Sequence, residues 1–202
     1  MPDAAPRLVL GLLGGVASGK SAVARRLREH GFLVLDADEV AHQVVEEPSI
    51  LSALAERFGP DVLAPDGGLD RAALAELAFA SAERTAALNA IVHPRVRERL
   101  QAAFEGADAA TPIVLDVPLL MESPFAARVT HWILVDAPEP IREDRARERA
   151  WAPGERARRE ARQPALAAKR ARADLVLENR GTLSDLRAQV DALVRRLRST
   201  DP

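Results

Sequence analysis

Cysteine is absent from the 202 residues, which removes a disulfide framework, a thiolate zinc site and a cysteine nucleophile together. Aromatic residues make up only 3% of the chain, too few for the stacking platforms that bind single-stranded nucleic acid. No apolar run reaches the ~18 residues that a membrane span needs. Met1–Arg7 is too short and too polar for a signal peptide, so a cytoplasmic protein without membrane association is expected. The net charge of −2 gives no general pull toward nucleic acid, and no nucleic-acid partner is expected. Lysine is scarce as well. Lys20 and Lys169 are the only two, and arginine supplies every other side-chain cation apart from histidine. A lysine kept in such a chain suits a place that wants a compact point charge rather than a planar fork.

What is present describes a globular α/β protein. Hydrophobic residues are 48% and charged residues 29%, and the length fits one domain of ordinary or slightly large size with room for an inserted subdomain. The organising stretch is Leu8–Ala22, LVLGLLGGVASGKSA. An apolar run ends in Gly14-Gly15-Val16-Ala17-Ser18-Gly19-Lys20-Ser21, which fits G-x-x-x-x-G-K-[ST] at every fixed position. Glycines let backbone N–H groups curl around phosphate oxygens, and the following helix offers its positive end. Lys20 would add a charge near the β- and γ-phosphates, and Ser21 a hydroxyl for magnesium. A glycine-rich turn could match by chance, but here a buried-type strand precedes the motif and a periodic helix, Ala22–His30, follows it. The expected nucleotide-binding set runs from Gly14 through Ala22, a phosphate cradle for ATP or GTP with Mg2+ as its ion.

Downstream, Phe32–Leu35 reads as a second strand, parallel to the first after a right-handed crossover. Asp36 and Asp38 follow it, beyond the carboxyl end where ligands of α/β folds bind. Either acid could orient magnesium, accept a proton or cap the helix expected over Glu39–Val45, with Asp38 placed as the cap and Asp36 closer to the strand end. From Ser49 to Gly106 helical spacing dominates: one helix through Phe58, a second around Leu74–Ala78, a third over Leu88–Val92, and a fourth opened by Pro94. His93 lies at the last corner, as a helix-start residue or a substrate contact. Ile113–Val117 is a third strand, whose Asp116 stands where an acid near magnesium is expected. Pro118–Glu122, including Leu119, suits core packing and the floor of an acceptor pocket equally. His131–Val135 and Leu175–Glu178 read as strands four and five, and Leu183–Leu197 as a closing amphipathic helix.

Between them lies the most charged segment. Arg142–Arg172 carries ten arginines and Lys169 against five acids, more cations than internal pairs such as Glu143 with Arg147 can absorb. Arg142, Arg145 and Arg149 share one helix face. A cationic flap of this kind can close over a transferring phosphoryl group and exclude water.

With these pieces located, the chain resembles the dephospho-CoA kinase family over essentially its whole length. The resemblance rests on GGVASGKS at Gly14–Ser21, LDADEVAHQV at Leu35–Val44, LNAIVHPRV at Leu88–Val96, VPLLMES at Val117–Ser123 and AAKRARADLVLENRG at Ala167–Gly181. It implies transfer of the ATP γ-phosphoryl group to the ribose 3′-hydroxyl of dephospho-CoA, giving CoA and ADP, the last step of CoA biosynthesis. It also implies a P-loop three-layer fold with a five-stranded parallel sheet, an inserted helical substrate domain and a helical lid. On that reading residues 1–48, 107–137 and 173–202 form the nucleotide-binding core, 49–106 the dephospho-CoA domain and 138–172 the lid. Lys20, Asp38, Arg145 and Arg149 would be catalytic, with Asp38 as base and the arginines over the phosphates. Asn179 would lie near adenine, and Asp36, Asp38, His93 and Leu119 would contact the acceptor. A monomer or small homo-oligomer is expected.

Three positions depart from the family pattern: Leu13 and Ala22 stand where threonine is usual, and Ala150-Trp151 follows Arg149 where aspartate is usual. Another P-loop nucleoside or nucleotide kinase is the alternative within the class. A non-kinase P-loop ATPase is the alternative outside it, although the chain has no N-K-x-D guanine-reading run.

Overall fold

Six consecutive apolar or glycine residues, Val9–Gly14, form β1 and are buried throughout. A strand covered on both faces has no solvent side to mark with polar residues, hence the unbroken run. In the computed structural model, which describes residues 7–199, β1 lies at the centre of a five-stranded sheet with β2 (Leu33–Asp36), β3 (Ile113–Asp116), β4 (His131–Asp136) and β5 (Leu175–Glu178). The order is β2-β3-β1-β4-β5. β1 pairs in parallel with β3, Gly11 opposite Leu115, and with β4, Gly11 opposite Trp132. β4 pairs in parallel with β5. The second strand in sequence is therefore not the neighbour of the first, because β3 returns between them. That leaves the carboxyl end of β1 flanked by strands reached through different connections, the place where such sheets bind ligands.

Two compact units divide the chain: residues 1–35 with 107–202, and Asp36–Gly106. In the first, α1 (Lys20–Glu29) and α9 (Leu183–Ser199) lie side by side. Val23, Ala24 and Leu27 of α1 and Leu186, Val190, Leu193 and Val194 of α9 bury against Leu10, Leu12, Val114, Ile133 and Leu177 of the sheet. Asp191 binds the two helices together, accepting from Arg26 Nε (2.7 Å) and Nη2 (2.8 Å), with His30 Nε2 at 2.7 Å. These hydrogen bonds, from Arg26 first and then His30, hold the Asp191 carboxyl well below the usual carboxylate range. The β5 edge is covered by a side chain: Gln189 accepts from Glu178 N–H and donates to Glu178 O, both at 2.9 Å, which removes a free strand edge.

The connection from β4 to β5 carries α6 (Glu139–Glu148), α7 (Glu155–Glu160) and α8 (Leu166–Arg172). Five of the ten arginines between Arg142 and Arg172 pair with acids of the same connection. Arg156 is buried against Glu139, Glu143 and Glu160, Arg142 pairs with Glu160, Arg147 with Asp144, and Arg158 and Arg159 with Glu155. The expected Glu143 to Arg147 pair does not form, because the buried Arg156 takes Glu143.

The second unit holds α2 (Ala37–Val44), α3 (Pro48–Phe58), α4 (Arg71–Phe79) and α5 (Ala82–Gly106) around Val44, Leu54, Val62, Leu74, Ala78, Val92, Val96, Leu100 and Phe104. α2 packs with this unit, which starts at Asp36, ahead of the expected 49. Glu47 fixes the turn before α3 by accepting from Arg95 (2.6 Å) and Arg99 (2.8 Å) of α5. Pro94 does not start a helix. It sits inside α5, which runs 25 residues through it. Proline forfeits the bond to the carbonyl four residues back, and burial of Val92, Val96, Leu100 and Phe104 on either side holds the helix continuous regardless.

Leu27 is fully buried where α1, α9 and the sheet meet. Leu27→Ala should lower unfolding free energy by about 3 kcal/mol through lost transfer energy and a cavity, read from urea unfolding followed by circular dichroism.

Candidate active site

The loop from Gly14 to Gly19 turns straight from β1 into α1. Asp36 answers the first unpaired N–H groups of α2 with its side chain and Asp70 those of α4, whereas α1, α3, α6, α7 and α8 carry no such cap. α1 has no side-chain cap and no acid in its first turn, so its N–H groups and positive end remain available to an anion. Glycine is required on steric grounds at Gly14, where a Cβ would collide with Ser18 Oγ and lie 2.8 Å from the Val135 carbonyl. It is required again at Gly19, at φ 104°, where a Cβ would meet Asn179 Nδ2. Ala17 takes the left-handed conformation at φ 62° without being glycine, a cost that clusters at functional loops. Ser18 is buried, and its Oγ has no hydrogen-bond partner among the described residues. A cradle with no room for a Cβ at Gly14 or Gly19, which opens on an uncapped helix and holds an orphaned hydroxyl, fits a bound polyphosphate.

The loop is held from behind by its carbonyls. Arg145 Nη1 donates to Ser18 O (3.1 Å) and Ala17 O (3.4 Å), and its Nη2 donates to Asn179 Oδ1 (3.1 Å). Asn179 Nδ2 donates to Ser18 O at 2.7 Å, and Asn179 N–H to Asp136 O at 2.7 Å. Lys169 Nζ donates to Gly14 O at 2.9 Å. Lys20 is half-buried and Ser21 exposed. Asp116 ends β3, one residue past the Gly11 and Leu115 register pair, so the strand does not carry on through Val117.

Sequence comparison decides the lineage. A dephospho-CoA kinase family profile matches residues 8–185. The dephospho-CoA kinase of Thermobifida fusca is 45% identical over 199 residues, covering 95% of this chain and 99% of the relative. The chain belongs to the dephospho-CoA kinase family. Among solved structures, a Thermus thermophilus protein superposes with a TM-score of 0.74 at 37% identity, covering 95% of this chain and 98% of the other. Dephospho-CoA kinase from Campylobacter jejuni superposes with a TM-score of 0.68 at 19% identity, covering 94% and 97%, a likeness of fold.

Within this dephospho-CoA kinase fold, Gly14 through Ala22, Arg145 and Asn179 come together in the first unit. Asp36, Asp38 and His93 lie in the second. The capping roles are reversed from expectation: Asp36 Oδ1 accepts from the N–H groups of Asp38 (2.9 Å) and Glu39 (3.1 Å), and the exposed Asp38 carboxylate takes no part in the cap. β2 ends at Asp36 and α2 starts at the next residue, so the cap falls on Asp36, two residues before the expected Asp38. His93 is exposed on α5. Leu119 stands 43% exposed in left-handed conformation, while Leu120 takes the core position.

The three arginines expected to share a helix face part company, and Arg149 stands just past α6, at its C-cap. Arg142 is buried with its Nε on Ala137 O (3.1 Å), Arg145 grips the loop, and exposed Arg149 lies 5.4 Å from the Trp151 ring, with Arg159 at 4.3 Å. The Ala150-Trp151 departure closes α6. Ala150 N–H reaches Arg147 O (2.9 Å) and Trp151 N–H reaches Ala146 O (3.2 Å), a Schellman motif with Ala150 at its left-handed position, φ 55°. Lys169, Arg142 and Asp136 were not assigned to the site from sequence. For Lys169 the signal was its rarity.

Alanine is a poor occupant of that left-handed position. Ala150→Gly should raise stability by about 1 kcal/mol, the relieved strain exceeding the entropy that glycine adds to the unfolded chain; thermal melts of both proteins test this.

Proposed function

We propose that this protein transfers the γ-phosphoryl group of ATP to the ribose 3′-hydroxyl of dephospho-CoA, giving CoA and ADP. The observation that carries the reading is the uncapped, glycine-lined cradle of a chain that belongs to a kinase family. Phosphoryl transfer asks for positioning and charge neutralisation more than covalent chemistry. Lys20 neutralises the β- and γ-phosphates, and the N–H groups of the Gly14–Gly19 loop and α1 orient them. Arg149, on an exposed and mobile-length side chain beside Trp151, is the lid cation free to reach the transferring group. Arg145 acts through the loop, since its guanidinium is committed to Ala17, Ser18 and Asn179. Asn179 likewise serves the nucleotide by holding Ser18.

The reaction breaks the bond from the γ-phosphorus to the β,γ-bridging oxygen and forms one to the acceptor 3′-oxygen. Asp38 takes the proton of that hydroxyl, its carboxylate being spared from capping by Asp36. The helical unit, with Asp36 as the cap that sets α2, supplies the acceptor contacts, among them His93; Leu119, on the β3 to β4 connection, is a further acceptor contact. Among the described residues no group of three or more His, Asp or Glu could hold a metal. Magnesium bound with nucleotide needs few protein ligands; Ser21 would hold it, with Asp116 acting through water, and it would supply charge neutralisation between the phosphates. No helix among the described residues is long and apolar enough to cross a membrane, which fits a cytoplasmic enzyme acting on a small molecule as a monomer or small homo-oligomer.

The decisive assay is ADP release from MgATP with and without dephospho-CoA, the product being identified by mass. Acceptor-dependent ADP and a gain of one phosphate are expected. ADP release indifferent to dephospho-CoA would instead favour an ATPase or a kinase with another acceptor. In the same assay Lys20→Ala should lower turnover by two orders of magnitude or more, the loss of ~3 kcal/mol of transition-state stabilisation. Asp38→Asn should keep MgATP binding, measured by calorimetry, while losing transfer; lost binding would move Asp38 to a structural role.

A further inference from the structure

Both lysines of the chain meet at the first glycine of the cradle. Lys169 Nζ donates to Gly14 O (2.9 Å) and to Gln163 Oε1 (2.7 Å), and a Cβ on Gly14 would come within 3.2 Å of Lys20 Cγ. Lys169 is buried, only 6% exposed. A buried ammonium is costly unless a carboxylate pairs with it, and among the described residues Lys169 makes no ion pair. The charged groups around it are Lys20 of α1 and Arg142 of α6, both repulsive, and Glu160 of α7, already shared by Arg142 and Arg156. Asp136 of β4 is taken by Arg170. Burial first, and then the charge of Lys20, push the Lys169 ammonium down to about 8.

Holding two carbonyl-type oxygens does not require a charge. A neutral donor would satisfy Gly14 O and Gln163 Oε1 with less desolvation. A cation retained here without a counter-ion, where the rest of the chain has arginine, implies a partner that arrives with the substrate, and polyphosphate is the anion this loop is shaped for.

We propose that Lys169 is a positioning residue for the nucleotide: it fixes the Gly14 peptide from the protein side and supplies a second ammonium, behind Lys20, that the phosphates neutralise. This rests on the nucleotide half of the kinase assignment alone. Bound phosphate restores the charged form, so nucleotide binding draws a proton onto Lys169 at mildly alkaline pH. The same burial makes Lys169 a burden on the free fold. The folded pKa lies below the unfolded value of 10.5, so the destabilisation is fully present below about pH 8 and is relieved as pH rises toward the unfolded value.

The test is MgADP binding by titration calorimetry, at neutral and mildly alkaline pH, in two buffers of different ionisation enthalpy. It uses wild type, Lys169→Met and Lys169→Arg, with thermal melts of each. Wild type should take up a fraction of a proton at alkaline pH. Lys169→Met should bind on the order of tenfold more weakly, the scale of one lost charge-assisted interaction, with no uptake and a melting temperature within about 5 °C of wild type. Lys169→Arg, whose side chain keeps its proton, should bind better than the methionine variant and also without uptake. Methionine-variant binding within twofold of wild type, or an affinity loss that merely follows a collapse in melting temperature, overturns the proposal. Should that variant not fold, absence of proton uptake in wild type overturns it. MgADP binding is independent of the acceptor, so failure of the dephospho-CoA assay leaves this test intact, and failure here leaves acceptor-dependent ADP release standing.

Discussion

A loop that offers its N–H groups to phosphate has to send its carbonyls the other way, and buried carbonyls need donors. That constraint organises the first unit of this protein. Gly14 O is met by Lys169, Ala17 O by Arg145, and Ser18 O by Arg145 and Asn179 together. The donors come from α6, α8 and the residue after β5, all 127 residues or more from the carbonyls they meet, so the cradle depends on the segment after β4 being folded against it. The backbone bond from Asn179 to Asp136 O and the side-chain pair of Asp136 with Arg170 tie those places to the end of β4.

The arginine-rich connection accordingly does two jobs. Arg142, Arg145 and Arg156 are structural cations, satisfied by Glu139, Glu143, Glu160 or backbone carbonyls. Removing the glutamate partners of Arg142 or Arg156 would leave a buried guanidinium uncompensated, a severe loss. Arg149 is left at the surface beside Trp151, on the far side of a helix end that Ala150 closes in a conformation alanine tolerates poorly. One short segment thus pins the loop through Arg145 and leaves Arg149 exposed beyond the helix end.

Much of this was legible from sequence because it is written in local patterns. The G-x-x-x-x-G-K-[ST] run, the apolar strands and the amphipathic last helix depend on steric limits and on periods of two or 3.6, which neighbouring residues reveal. Pro94 misled because local propensity favours a helix start, whereas contacts made on both sides of it hold one long α5. Asp36 rather than Asp38 caps α2 because the helix starts directly after β2, with no connecting residue between them. Arg142 and Arg145 lie on α6 as their spacing predicts, but Arg149 falls past its end, and spacing is silent on partners. Glu160 lies 18 residues from Arg142 and Ser18 lies 127 from Arg145.

Sequence alone determined the class of ligand and the kind of fold, since a phosphate cradle is a property of a contiguous loop and a parallel sheet is a property of apolar runs alternating with helices. Tertiary structure decided the strand order, with β3 returning between β1 and β2, and which cations hold backbone carbonyls of the loop and which pair with glutamate. It also brought Lys169 to Gly14, 155 residues away. The physical reason is range: steric and periodic preferences act within a few residues, while desolvated charges take whichever partner the fold places beside them.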